Sequence, residues 1–271
     1  MMKGTEEMSI NLEVFLDEFK ADWRLSGKAA GTVSAYAMYI REMVADSNPA
    51  AVTLAQVKIW LADSPSAETA RHRGRAVRAF GKWSSTHDGP EWPWSQSVPL
   101  ATVAPTPQPT ITAQQYSDVL GRTKSLRDRT AIEMLWSTGM RVSELARVRI
   151  EHVDVAGGFV TVPRSKTGKP RVVPLGDAAV RVCRRTINGR TEGLLLGMTS
   201  HAIQQLLGRL QAPSAHAWRR GWAVQALRQG VSEASVRAAA GWSSGAMVAR
   251  YTMSVSGELA IAEFRRADGN A

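Results

Sequence analysis

A chain of 271 residues with 34 Lys+Arg against 24 Asp+Glu carries a net charge of +10 and a pI near 10.2, enough length for two cored domains and a balance that points to a polyanionic partner. Its one cysteine, Cys183, excludes an intramolecular disulfide and a cysteine-built metal site, and fits a reducing, intracellular setting. No apolar run approaches the roughly 18 residues of a membrane span, and the polar, acidic start is unlike a signal peptide, so membrane and exported classes are set aside.

The first hundred residues hold 11 basic and 12 acidic side chains, so the whole positive excess lies in residues 101–271. From Ile10 to Trp23, Leu12, Phe15, Leu16, Phe19 and Trp23 recur at helical spacing and predict a core helix. Thr32 is read as the cap of a second helix with Val33, Tyr36, Ile40 and Met43 or Val44 inward, and Thr53 as the cap of a third with Leu54, Val57, Trp60 and Leu61 inward. A fourth runs from about Ser66 to Trp83. On it Arg71, Arg75, Arg78 and Lys82 fall at intervals of four, three and four, a basic stripe suited to a nucleic-acid backbone, with His72 and Arg73 beside it in reach of base edges.

Between Ser84 and Thr110 lie Pro90, Pro93, Pro99, Pro105, Pro107 and Pro109, half of the chain's twelve prolines. Such a segment tends to an extended spacer and marks a domain boundary, with Trp92 and Trp94 packing it against the first domain. Beyond it, Thr112 to Gly121 and Ser125 to Ser137 read as helices. Gly139 ends the second, and Arg141 opens a helix running to Val148, with Glu144 one turn on to orient Arg141 or to cap local N–H groups. Phe159 to Pro163 and Pro170 to Leu175 read as a hairpin that joins Arg147 to Val153 in a small antiparallel sheet. Lys169 and Arg171, at the hairpin end, are read as phosphate contacts.

Helices resume at Asp177 to Asn188, Ser200 to Gln211, His216 to Gln229 and Glu233 to Ala240, the last capped by Ser232 and closed by Gly241. Two guanidinium forks, Arg141 and Arg219, suit a phosphodiester whose charge grows in a transition state. His216 can donate a hydrogen bond or exchange a proton near neutral pH, whereas the Trp242 indole can only donate. Tyr251 supplies a phenol that becomes a nucleophile in a positive field with a proton acceptor nearby, for which His216 is the candidate.

Thr138-Gly139-Met140-Arg141-Val142-Ser143-Glu144-Leu145, a hairpin lysine at Lys166, His216-Ala217-Trp218-Arg219, Trp242 and Tyr251 follow one another in an order that resembles the tyrosine recombinases of the phage-integrase family. The likeness is strong from Ile111 to Tyr251 and looser over the first hundred residues. It implies a mainly α fold with a small antiparallel β-sheet: a four-helix, SAM-like core-binding domain over residues 1–88, the Pro-rich linker over 89–110, and an α+β catalytic domain over 111–271 with a tail from 254. The resemblance further implies a 3′-phosphotyrosyl intermediate on Tyr251, with Lys166 as a mobile general acid and no metal, ATP or other cofactor. Its expected partners are double-stranded DNA attachment sites, a homotetramer passing through a Holliday junction with the C-terminal tail docked on a neighbour, and a directionality factor. The expected place is the cytoplasm of a bacterial host, at the nucleoid. Arg220 stands where the family often has a second histidine, Trp242 replaces the commoner histidine, and Met253 follows Tyr251 where a histidine is frequent. A small phage integrase without an arm-binding domain is the first expectation. Xer-like or transposon recombinases, a type IB topoisomerase and a catalytically silent DNA-binding regulator are the alternatives.

Overall fold

The computed structural model describes residues 11–45, 47–104, 108–163, 170–242, 244–245, 248–249 and 256–267, and the chain divides into two units, residues 1–104 and 105–271. Among the described residues no helix is long and apolar enough to cross a membrane.

In the first unit the apolar stripes become α1 (Leu12–Leu25), α2 (Ala30–Val44), α3 (Leu54–Ala62) and α4 (Ala67–Ser84). Leu16, Phe19, Ala37, Ile40, Val57, Val77 and Phe80 are buried together. The Thr53 side chain accepts from the Gln56 N–H and the Gln56 side chain accepts in return from the Thr53 N–H, a reciprocal cap that starts α3 as its sequence predicts. Thr32 does not cap α2. The helix begins at Ala30 behind Ala29, with no side-chain cap, because the tertiary packing of Val33 and Ala37 carries it.

The first half of the Pro-rich segment folds back onto α4. Trp92 is buried against Phe80 and its indole N–H donates to the Pro49 carbonyl at 2.9 Å, while Trp94 stacks on Trp92. Gly81 makes this approach possible: a Cβ there would stand 2.3 Å from the Ser95 Cβ. Gly81→Ala is therefore expected to destabilise the unit by about 1–3 kcal/mol through overpacking. Gly31→Ala in α2, where nothing lies within 4 Å, is expected to gain up to about 1 kcal/mol from helix propensity. Urea midpoints moving in opposite directions for the two variants are the check.

The basic stripe is only partly available to a ligand. Arg75 and Lys82 are exposed, Arg71 and Arg78 are half-buried, and Arg78 Nε donates to the Val98 carbonyl at 2.9 Å. Arg73 is not a base reader. It lies 4.5 Å over the Trp60 ring, donates to Ser64 Oγ at 2.9 Å and pairs with Glu42, so the interior of the unit holds its charge. His72 faces Glu68 at 3.4 Å on the exposed side.

In the second unit α5 (Ala113–Gly121) and α6 (Leu126–Thr138) start behind Thr112 and Ser125, whose side chains accept from the N–H groups of Gln115 and Asp128. The short α7 (Val142–Leu145) follows. Strands β1 (Val153–Asp154), β2 (Phe159–Val162) and β3 (Arg171–Pro174) form an antiparallel sheet in the order β1-β2-β3, with Val160 opposite Val173 and Val162 opposite Arg171. Val160, Val162 and Val173 point into the core by the period-two rule. Helices α8 (Asp177–Ile187), α9 (Ser200–Arg209), α10 (Ala215–Arg228) and α11 (Glu233–Ala240) complete the core around Trp218, which is fully buried. A final helix, α12 (Ser256–Ala267), contacts α10 through an Arg228–Glu258 pair at 2.7 Å and leaves Ile261 and Phe264 exposed. The fold is the expected one, mainly α with a small antiparallel sheet. The first strand departs in detail: Ile150 to His152 form a 3₁₀ turn, leaving only two residues of β1 where Arg147 to Val153 suggests a full strand.

Candidate active site

Four helix ends converge on the site, and the sequence makes each of them end where it does. Helix α6 stops at Gly139, whose φ of +57° is left-handed; a Cβ there would also stand 2.5 Å from the Trp222 ring. Two residues later Arg141 sits at the N-cap of α7. Its N–H donates to Glu144 Oε2 at 2.9 Å and its Nη1 to Glu144 Oε1 at 3.0 Å, so the carboxylate fixes both backbone and side chain. Glu144 thus does both things read from its position, orienting Arg141 and capping a local N–H.

Glu144 is 2 % exposed and has a second cation. Arg171, on β3, donates from Nη1 and Nη2 to the two Glu144 oxygens at 3.1 and 2.8 Å and from Nε to the Ala239 carbonyl at 2.7 Å. Burial would raise the Glu144 carboxyl, but the Arg171 hydrogen bonds, the Arg141 N–H and both positive charges outweigh it and bring the pKa down to about 2. The reading of Arg171 as a phosphate contact is therefore corrected. Its side chain is 10 % exposed and its guanidinium clamps Glu144 and the end of α11. The signal was in the strand: Arg171 shares the inward face with Val173, two residues on.

On α10, His216 and Arg219 are one turn apart. Arg219, 3 % exposed, donates from Nη1 to the Gly139 carbonyl at 2.8 Å and from Nη2 to the Ala240 carbonyl. It thereby ties the C-terminal ends of α6 and α11, where a cation is favoured by the helix dipole. Gly241, at φ +67°, reverses the chain after α11 and brings the Trp242 ring to 5.1 Å from the Arg219 guanidinium. The next arginine, Arg220, reaches back to the Pro109 carbonyl at 2.7 Å, a structural tether at the position where a second histidine is common. His216 is exposed, and its pKa is lowered by partial loss of hydration and then by the fields of Arg220, Arg141 and Arg219. The neutral, proton-accepting imidazole is the favoured form.

The structure thus brings Arg141, His216, Arg219 and Trp242 to neighbouring helix ends, close enough for Arg141, Arg219 and Arg220 to act on the His216 imidazole, with Glu144 paired to Arg141. Lys166, Lys169 and Tyr251 lie outside the described residues, as does Met253. Sequence reasoning missed the Gly139 and Ala240 carbonyls as anchors, because backbone acceptors at helix ends leave no mark on residue identity.

Residues 109–257 match the phage integrase family. Over a shorter stretch of 68 residues the chain is 46 % identical to the tyrosine recombinase XerC of Pelobacter propionicus, covering 25 % of this chain and 22 % of that protein. Over 61 residues it is 49 % identical to XerD of Staphylococcus aureus, covering 22 % and 20 %. The chain therefore spans only about a fifth of the length of these curated relatives at that level of identity. Its fold is similar to that of a lambda integrase dimer bound to a COC′ core site, with a TM-score of 0.73 at 18 % identity over 90 % of this chain and 77 % of that one. A Tn1549 transposon integrase in complex with transposon right-end DNA matches at a TM-score of 0.67 and 18 % identity, over 93 % and 98 % of the two chains. Because the family pattern extends over more than half of the sequence and takes in every residue gathered at the site, the chain belongs to the phage integrase family.

Proposed function

We propose that the protein is a site-specific DNA recombinase that cuts and rejoins DNA through a 3′-phosphotyrosyl intermediate. The observation that carries the reading is the convergence of Arg141, His216, Arg219 and Trp242 at the ends of α6, α7, α10 and α11. Arg141 and Arg219 bind the scissile phosphate and offset the charge that builds on its oxygens, and Trp242 donates to one of them. Tyr251 attacks phosphorus in line, its proton passing to His216, whose pKa is lowered by partial burial and then by the surrounding arginines. The P–O bond to the 5′ oxygen breaks and Lys166 protonates that leaving oxygen, giving a 5′-hydroxyl. A 5′-hydroxyl from the partner strand then reverses the step, so the phosphodiester's free energy is retained and no ATP is consumed.

Double-stranded DNA is the partner this chemistry requires. The structural neighbours include a lambda integrase dimer on a core site and a lambda integrase tetramer on a Holliday junction, which supports a homotetramer on paired duplexes here. Arg75 and Lys82, with Arg71 and Arg78 beside them, would follow the backbone from the first unit, and Lys169 from the hairpin. Exposed Ile261 and Phe264 make α12 the segment to dock on a neighbouring protomer. A directionality factor and a place at the bacterial nucleoid belong to the same reading.

The test is covalent trapping on nicked suicide DNA bearing a candidate attachment core, in EDTA, with wild type and Tyr251→Phe. A 3′-linked adduct with wild type alone is expected. DNA binding without an adduct on a demonstrated cognate site would remove the catalytic assignment and leave a DNA-binding regulator.

A further inference from the structure

Away from the arginines, the second unit holds a cleft of about 500 Å³ lined by residues of α6, α10 and α11 and the start of α8. Tyr116, Trp136 and Trp222 give it aromatic walls, and Ala226 lies on its α10 side. Tyr116 and Trp136 stack with their ring centres 4.4 Å apart, so the wall is stiff. Trp222 also packs against Gly139, the residue whose carbonyl holds Arg219.

A carboxylate lies in this apolar setting. Glu133, on the inner face of α6, is 2 % exposed and lines the cleft. Its Oε2 accepts from the Tyr116 hydroxyl at 2.7 Å, and among the described residues no cation pairs with it and Oε1 takes no hydrogen bond. Asp177 adds an exposed carboxylate at the rim. In a chain of net charge +10 this is a local reversal of sign, in a volume of the size that holds small ligands. A buried carboxylate with one oxygen uncommitted is satisfied by a cation that brings its own N–H donors, and aromatic walls attract the same cation through their π faces. Apolar walls disfavour a strongly hydrated inorganic ion and favour an alkyl or aryl stem.

We propose that this cleft binds a small organic cation, a primary ammonium or guanidinium group on an apolar stem, with its charge on Glu133 and its stem against Trp136 and Trp222. The assignment does not depend on the recombinase reading, since Tyr251→Phe protein is expected to bind the cation equally well.

Calorimetric titration of the full chain, without DNA, tests it with n-butylguanidine and phenethylamine as probes and neutral n-butylurea as the matched comparison. Saturable binding of the two cations and none of the urea is expected. Glu133→Gln, which keeps an acceptor for Tyr116, is expected to weaken the cations by about tenfold or more, the loss of a charge-assisted hydrogen bond. Ala226→Leu, which fills the cleft without touching Glu133, is expected to abolish binding, with thermal melts showing both variants folded. No binding to wild type, equal binding of n-butylurea, or Glu133→Gln affinity within about twofold of wild type would each overturn the proposal. Binding of a peptide of residues 256–267 in place of either cation would also overturn it and give the cleft to the tail of a second copy.

Discussion

Arg219→Lys is expected to lower the single-turnover rate of DNA cleavage by at least about 10²–10³-fold, the effect of removing one preorganised donor from an oxyanion site. The reason is geometric. In the structure one planar guanidinium reaches the Gly139 and Ala240 carbonyls and lies beside the Trp242 ring. An ammonium is a point charge with no planar fork, so it cannot span both helix ends and still offer paired donors to a phosphate. The same substitution leaves a buried carbonyl short of its partner, which costs about 1–3 kcal/mol. Cleavage of a suicide substrate, a gel shift on the same duplex and a urea midpoint separate the two effects. Binding is expected to persist, because other cations supply most of the backbone contact. Cleavage within about tenfold of wild type would remove Arg219 from the chemistry, since even one general-acid or oxyanion contact contributes more.

Glu144→Ala is expected to destabilise the catalytic unit by about 3–5 kcal/mol, because it leaves Arg171 with an uncompensated buried charge beside Arg141. Glu144→Ala combined with Arg171→Met is expected to recover a large part of that loss, since the second change removes the stranded cation; the double-mutant cycle reads the coupling directly. The pH dependence has a definite sign. The Glu144 carboxyl falls from an ordinary value of 4.5 to about 2 on folding, so its contribution is complete above pH about 4.5 and is lost as pH falls through about 2. The stability gap between wild type and Glu144→Gln, measured by urea midpoints at pH 6, 4 and 2.5, is expected to narrow toward the acid end. A gap that stays constant would show that Glu144 acts through packing and not through its charge.

Much of this molecule is written locally. Thr53, Thr112, Ser125 and Ser232 cap helices within their own first turns, and the left-handed Gly139 and Gly241 end the two that Ser125 and Ser232 start, so a reader of the sequence can place these boundaries. The strand alternation through Val160, Val162 and Val173 is equally local. The chemistry of the site is legible for a similar reason: arginine, histidine, indole and phenol each have a fixed set of donors and acceptors, and their order along the chain resembles one family's pattern.

The tertiary structure decided what those residues hold on to. Local rules give α2 a cap at Thr32 and run α7 on to Val148, whereas core packing starts α2 at Ala30 and the Leu195 N–H takes the Val148 carbonyl at 2.9 Å. Arg73 and Arg171 have the composition of nucleic-acid contacts, but Trp60 with Glu42 claims one and Glu144 with the Ala239 carbonyl claims the other. The sequence by itself determined which groups are charged and which side chains must be buried, because those are properties of single residues and of their periodicity. Only the folded chain decided which charges meet a buried partner, because that depends on carbonyls and carboxylates brought together from distant helices and strands.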